Sequence, residues 1–241
     1  MNILAIGNSF SQDATRYIHS IARADGVKLN VANLYIGGCS LERHFRNMYS
    51  GERVYDLEYN GELTGFKVSM EEALLNRAWD VITLQQCSPT CYESDSYHPY
   101  ITRLADYIRE LQPKAKLVIH QTWSYEENSQ RLITHAKGQT ADQMLAGLKL
   151  AYAEAAETVK ADGIIPAGEM LAALHAKGYA PIHRDTFHLG RGIPRYAVGL
   201  LWYRVLTGNS VLKNTFCDLD EAAEEQDIAL AKETVEAFPT I

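Results

Sequence analysis

Four consecutive apolar residues, Ile3-Leu4-Ala5-Ile6, stop abruptly at Gly7-Asn8-Ser9, and this corner constrains the fold more than any other stretch of the chain. An apolar run with no polar alternation reads as a central parallel strand covered on both faces. Behind it, Ser11 or Asp13 can cap a helix whose apolar positions Ala14, Tyr17, Ile18, Ile21 and Ala22 fall on one face. Ser9 then lies between a strand's carboxyl end and a helix's amino end, where α/β proteins place their chemistry beside free backbone N–H groups. That makes Ser9 a candidate nucleophile. Taken alone, the corner favours a plain βα turn in which Asn8 and Ser9 satisfy local backbone groups. A serine also needs a base to take its proton, and a histidine with a carboxylate neighbour occurs in Asp185-Thr-Phe-His188.

The same alternation of strand and helix continues down the chain. Residues 30–35, 80–84 and 115–119 read as further parallel strands beside residues 3–6, with Gly163–Pro166 as a fifth, near an edge. Two glycines, Gly37 and Gly38, follow the second strand and allow positive φ and close backbone approach, so that the Gly38 N–H can face the same crevice as Ser9. Asn60-Gly61 suits a primed turn and predicts a β-hairpin inserted near residues 53–68. Helices are expected at 70–77, 95–111, 139–160, 168–176, 195–206 and 220–238. The pattern predicts one domain over residues 1–241, a three-layer α/β/α sandwich around a doubly wound, mostly parallel sheet.

Composition narrows the function. Of 241 residues, 46% are hydrophobic and 22% charged, enough for a full core, while the formal charge of −7 comes without the clustered Lys and Arg that phosphate backbones require. Nucleic acid is excluded as a partner on that ground. Cys39, Cys87, Cys91 and Cys217 lack metal-ligand spacing and read as free thiols. No stretch has the length of a membrane span, and a strand beginning at residue 2 leaves no room for a signal peptide. The chain as given is expected to be cytoplasmic; secretion would require a leader removed ahead of it.

Gly7-Asn8-Ser9 after the first strand, Gly38 after the second, and Asp185-x-x-His188 in a late loop together resemble the SGNH (GDSL-type) hydrolase superfamily, which has a flavodoxin-like fold. Asn33–Glu42, Trp79–Gln86 and Tyr196…Trp202-Tyr203…Leu206-Thr-Gly208 are similar to its DUF4886 branch. The resemblance spans nearly the whole chain. It implies Ser9 as nucleophile, His188 as general base and Asp185 as the carboxylate that orients His188, without a metal or cofactor. It also implies an oxyanion hole built from the Ser9 N–H, the Gly38 N–H and an asparagine after the third strand. That asparagine is absent: counting from Asp80 puts Pro89 in its place, and proline cannot donate. Gln86 is the nearest amide and the expected substitute.

The expected activity is cleavage of a short acyl ester, such as an acetyl group on a carbohydrate, with Gln85 and Trp123 as candidate substrate contacts. The rival from another class is a catalytically idle SGNH-like domain that binds a glycan or similar ligand. The missing asparagine motivates it, and the intact Ser9, Asp185 and His188 set opposes it. His183-Arg184-Asp185 spells a kinase catalytic-loop tripeptide without the rest of the kinase signature. His183, Asp185 and His188 as metal ligands would lack a fourth partner. The remaining histidines, His44 and His120 among them, read as surface or structural residues.

Overall fold

A computed structural model describes residues 1–241. Seven strands form one sheet: β1 (Asn2–Gly7), β2 (Asn30–Tyr35), β3 (Tyr55–Tyr59), β4 (Glu62–Val68), β5 (Val81–Leu84), β6 (Lys116–Gln121) and β7 (Gly163–Pro166). Their spatial order is β4-β3-β2-β1-β5-β6-β7. Pairings from β2 through β7 by way of β1 are parallel, and β3 joins β2 and β4 antiparallel. The chain moves to one side of β1 to make β2 and to the other to make β5, so the order reverses at β1, and a crevice opens beyond its carboxyl end.

The helices are α1 (Ser9–Thr15), α2 (Ile18–Ala24), α3 (Leu41–Ser50), α4 (Met70–Leu75), α5 (Tyr100–Leu111), α6 (Gln130–His135), α7 (Ala141–Thr158), α8 (Ala167–Ala176), α9 (Ile193–Thr207) and α10 (Glu225–Glu236). They cover both faces of the sheet. Ile3 and Ala5 enter one core with residues of α1, α2, α8, α9 and α10, while Leu4 and Ile6 enter the other with residues of α3, α4, α5 and α7. All four strand residues are fully buried. This two-sided burial is the physical reason the run needs no polar alternation. Twelve residues of α9 are buried, because α2, α8 and α10 surround it.

Several expected helices are placed or divided differently. The first helix begins at Ser9 and is capped by Asn8, whose Oδ1 accepts the Phe10 N–H at 3.0 Å, rather than by Ser11 or Asp13. It stops at Thr15, and α2 resumes at Ile18. The expected 95–111 helix divides into a 3-10 turn at Ser94–Tyr97 and α5, separated by Pro99, which has no N–H to continue the ladder. An additional helix not expected from the sequence, α6, follows β6, with the Ser129 hydroxyl accepting the Leu132 N–H at 3.1 Å as its cap. The final helix starts at Glu225, since Asp220 is taken up by ion pairs with Arg16 and Arg195.

The hairpin forms at its expected turn. Asn60 and Gly61 have φ of +53° and +86°, as a primed turn requires, and a Cβ at Gly61 would lie 2.2 Å from the Arg16 carbonyl oxygen. The hairpin extends the sheet beyond β2 and is wired to the helix that carries Ser9. Glu58 of β3, only 3% exposed, accepts from the Asn33 amide of β2 at 2.7 Å and from Gln12 of α1. Asn33 Oδ1 in turn accepts from the Ser11 hydroxyl at 2.7 Å. Replacing Glu58 by Ala strands buried amide donors, so Glu58→Ala is expected to lower unfolding free energy by about 1–3 kcal/mol. Urea denaturation would show it as a lower midpoint with an unchanged slope.

Candidate active site

Ser9, Gly38, Ser88, Arg131, Phe187 and His188 are among the residues lining a cleft of about 310 Å³ over the carboxyl ends of the central strands. A larger depression of about 650 Å³ lies under the hairpin; its lining contains no serine, histidine or cysteine. The chemistry-bearing side chains therefore converge on the smaller cleft.

His188 Nε2 lies 2.8 Å from Ser9 Oγ, across 179 residues of sequence. On the other side of the ring, Nδ1 is 2.7 Å from Asp185 Oδ2. An ionised carboxylate can only accept, so Nδ1 carries the proton and the Nε2 lone pair faces the Ser9 hydroxyl. Asp185 Oδ1 also accepts the His188 backbone N–H at 2.8 Å. Burial pushes the Asp185 carboxyl pKa upward, but hydrogen bonds from the His188 ring and backbone outweigh it and leave the pKa below the ordinary aspartate value. The carboxylate is thus ionised at neutral pH.

The loop that carries this pair is fastened at many points. Arg184 N–H donates to the His188 carbonyl at 2.9 Å, closing the turn, and Thr186 inside it has φ of +75°, a strained value for a β-branched residue. Trp123 Nε1 donates to the Phe187 carbonyl at 2.8 Å, and the Glu126 N–H to the Thr186 carbonyl at 2.8 Å. His183 donates from Nε2 to the Ser124 carbonyl at 3.0 Å, and burial lowers its pKa to about 4. Asp13, fully buried on α1, anchors the whole segment. Its oxygens accept from Arg184 at 3.0 Å, Arg195 at 2.7 Å and the Leu189 N–H at 2.9 Å.

A second network holds the Ser9 corner. His120 Nδ1 and Gln85 Oε1 are 2.8 Å apart, so the imidazole donates; Gln85 Nε2 donates to Asn8 Oδ1 at 2.9 Å, and Asn8 Nδ2 donates to the Cys39 carbonyl at 3.0 Å. This chain joins the ends of β6, β5, β1 and β2. The Ser9 N–H, first in α1, has no intrahelical acceptor, and Gly38, at φ of +62°, lines the same cleft.

The three expected substrate-facing residues Gln85, Gln86 and Trp123 are not among those that line the cleft. Gln86 is 1% exposed, its Nε2 donating to the Ser96 carbonyl at 2.9 Å and its Oε1 accepting the Leu41 and Cys87 N–H groups. The expectation that it replaces the missing asparagine is corrected: its donors are occupied and point away. Gln85 is a buried link in the Asn8 network, and Trp123 packs 4.2 Å from the Phe10 ring while supporting the Phe187 carbonyl. Ser88 reaches the cleft instead. Its Oγ accepts from the Tyr125 hydroxyl at 3.0 Å, which leaves the Ser88 proton free to donate. Sequence reading passed over Ser88 and Arg131 and gave Asp13 only a helix-capping role; the one available signal was an aspartate on the apolar side of the first helix. No group of three or more His, Cys, Asp or Glu side chains converges as a metal site would need.

The family model for the domain of unknown function DUF4886 matches residues 2–237. The chain belongs to the DUF4886 family. A crystal structure of a DUF4886 family protein from Bacteroides uniformis superposes with a TM-score of 0.88 at 32% identity, covering 98% of this chain and 93% of that one. More distant solved structures share the fold alone. A protein from Parabacteroides merdae assigned to the GDSL-like lipases gives a TM-score of 0.56 at 13% identity, covering 83% and 93% of the two chains. Axe2, an acetylxylan esterase from Geobacillus stearothermophilus, gives 0.50 at 14% identity, covering 84% and 90%. No functionally curated protein matches the sequence. The DUF4886 chain thus shares its mostly parallel α/β fold with these GDSL-like lipase and acetylxylan esterase structures, and no helix is long and apolar enough to cross a membrane.

Burial holds His44 and His120 neutral, lowering both pKa values to about 3. Unfolded, they titrate near 6.5, so between these limits the unfolded chain binds more protons and stability falls as pH falls. At pH 5 the loss amounts to about 2 kcal/mol for each histidine. The thermal midpoint is expected to drop between pH 7 and pH 5, and His120→Gln to reduce that drop, as differential scanning calorimetry at the two pH values would measure.

Proposed function

We propose that this DUF4886 protein is a serine esterase that cleaves a short acyl ester by a Ser9-His188-Asp185 mechanism. The observation that carries the reading is the unbroken line of hydrogen-bond contacts from Asp185 Oδ2 through His188 to Ser9 Oγ, 2.7 Å and 2.8 Å long. A neutral imidazole with its lone pair on a serine hydroxyl is what acyl transfer at neutral pH needs. In the proposed reaction His188 takes the Ser9 proton as Oγ bonds to the acyl carbon. It then gives that proton to the leaving alcohol oxygen as the C–O bond breaks. Water, deprotonated by the same imidazole, then attacks the acyl carbon; the acyl–Oγ bond breaks, His188 returns the proton to Ser9 Oγ, and the acid leaves.

Negative charge on the carbonyl oxygen calls for preorganised donors. The Ser9 and Gly38 N–H groups supply two in this reading, and the Ser88 hydroxyl, oriented by Tyr125, supplies the third in place of the family asparagine. The cleft's small volume and few apolar walls favour a short acyl group over a lipid chain. The fold shared with an acetylxylan esterase agrees with an acetyl ester on a carbohydrate. An idle ligand-binding domain is the weaker reading, since the missing asparagine that suggested it has a replacement in Ser88.

A fluorophosphonate probe is expected to label Ser9 in the folded protein and to leave Ser9→Ala unlabelled. Absence of labelling in the parent protein would overturn the esterase reading. For an activated acetyl ester, Ser88→Ala is expected to lower kcat by about 10²–10³-fold with the fold retained. A change of less than about twofold would remove Ser88 from the oxyanion hole.

A further inference from the structure

Arg131 on α6 contributes the only arginine or lysine side chain among those lining the cleft. Its guanidinium carbon lies 3.6 Å from the centroid of the Phe187 ring, and that ring lies 3.8 Å from the His188 imidazole. Laid end to end, these separations put the positive charge no more than about 7.4 Å from the His188 ring, inside the Debye length of about 8 Å at physiological ionic strength. Arg184 and Arg195, beside the triad loop, are engaged with carboxylates: both meet Asp13, and Arg195 also meets Asp220. Arg131 pairs with no carboxylate. Its remaining aromatic neighbour is the Tyr125 ring at 5.7 Å.

A half-buried guanidinium fixed against an aromatic face has a set direction and donors left free for a planar, bidentate anion. The chain as a whole carries a formal charge of −7 and repels anions, so any anion preference must arise locally. Resting on the esterase reading, we infer that Arg131 is the recognition site for a carboxylate on the substrate, carried on its alcohol portion. His188 returns its proton to the leaving oxygen, and Phe187 and Arg131 stack outward from His188, so they border the alcohol rather than the acyl group. The substrate class is then an acyl ester of a hydroxy acid, such as an O-acylated acidic sugar. A carboxylate suits the single guanidinium better than a phosphate, whose second charge would meet no further cation in the cleft.

The test compares 3-acetoxybenzoate with its neutral counterpart 3-acetoxybenzamide, and with 3-acetoxyphenyl phosphate as a third arm. The parent protein is expected to show kcat/KM at least tenfold higher for the carboxylate than for the amide, a ratio that shrinks with added salt. Arg131→Met, which keeps the alkyl stem on Phe187, should bring the ratio to about one, and Arg131→Lys should restore part of it. A parent ratio near one, a ratio unchanged in Arg131→Met, or a preference for the phosphate over the carboxylate would each overturn the inference. Calorimetric binding of 3-acetoxybenzoate to Ser9→Ala separates this inference from the esterase reading. Binding at least tenfold tighter than that of the amide, lost in Ser9→Ala/Arg131→Met, supports the carboxylate site even if the parent turns over neither ester. Equal binding of acid and amide overturns it even if the parent hydrolyses both.

Discussion

A single buried carboxylate, Asp13, holds the two ends of this chain in register. It sits one turn beyond Ser9 on α1 and accepts from Arg184, Arg195 and the Leu189 backbone, so the loop bearing Asp185 and His188 is tied to the helix bearing Ser9. Removing an anion of this kind leaves Arg184 with no carboxylate and Arg195 with Asp220 alone, which is far more disruptive than never having built the cluster. The 2.8 Å contact between Ser9 and His188 is therefore a consequence of ion pairing several residues away from either side chain.

Beneath that clamp the strand ends are fixed to one another by neutral polar groups. His120, Gln85, Asn8 and the Cys39 carbonyl form a continuous hydrogen-bonded chain across four strands. The result is a rigid floor, with the Ser9 corner above it and the glycine turn after β2 alongside. In the proposed reaction, donors held this way would need no reorganisation as charge develops above them, the property that makes preorganised dipoles effective in acyl transfer. The hairpin contributes to the same rigidity through Glu58, whose side chain joins β2 to α1.

The parallel strands were legible because each is a short apolar run closed by a polar or glycine-containing corner, and two-sided burial leaves that signature directly. Asn60-Gly61 announced its hairpin for an equally local reason, the need for positive φ at both positions. Ser9, Asp185 and His188 were legible through their motifs, and the fold brings all three together. Gln85, Gln86 and Trp123 were placed wrongly because their direction depends on partners distant in sequence: Ser96 and Leu41 claim Gln86, Asn8 and His120 claim Gln85, and the Phe187 carbonyl claims Trp123. Ser88 carried no signal of its own, since its role rests on a hydroxyl from Tyr125, 37 residues away. Arg131 lies on α6, a helix not expected from the sequence, and only the stacked Phe187 ring shows what its charge faces.

The span of the Asp13 clamp also bears on how the polypeptide matures during synthesis. Asp13 leaves the ribosome 171 residues ahead of Arg184 and 182 ahead of Arg195, and α9, the helix against which α1 packs, arrives with the second of them. Until then, burying α1 would enclose an uncompensated anion, a penalty of several kcal/mol. The nascent chain is accordingly expected to keep its first helix undocked while the sheet is being laid down, with the crevice closing as a terminal event, when the carboxyl-terminal third supplies both the counter-ions and the covering helix.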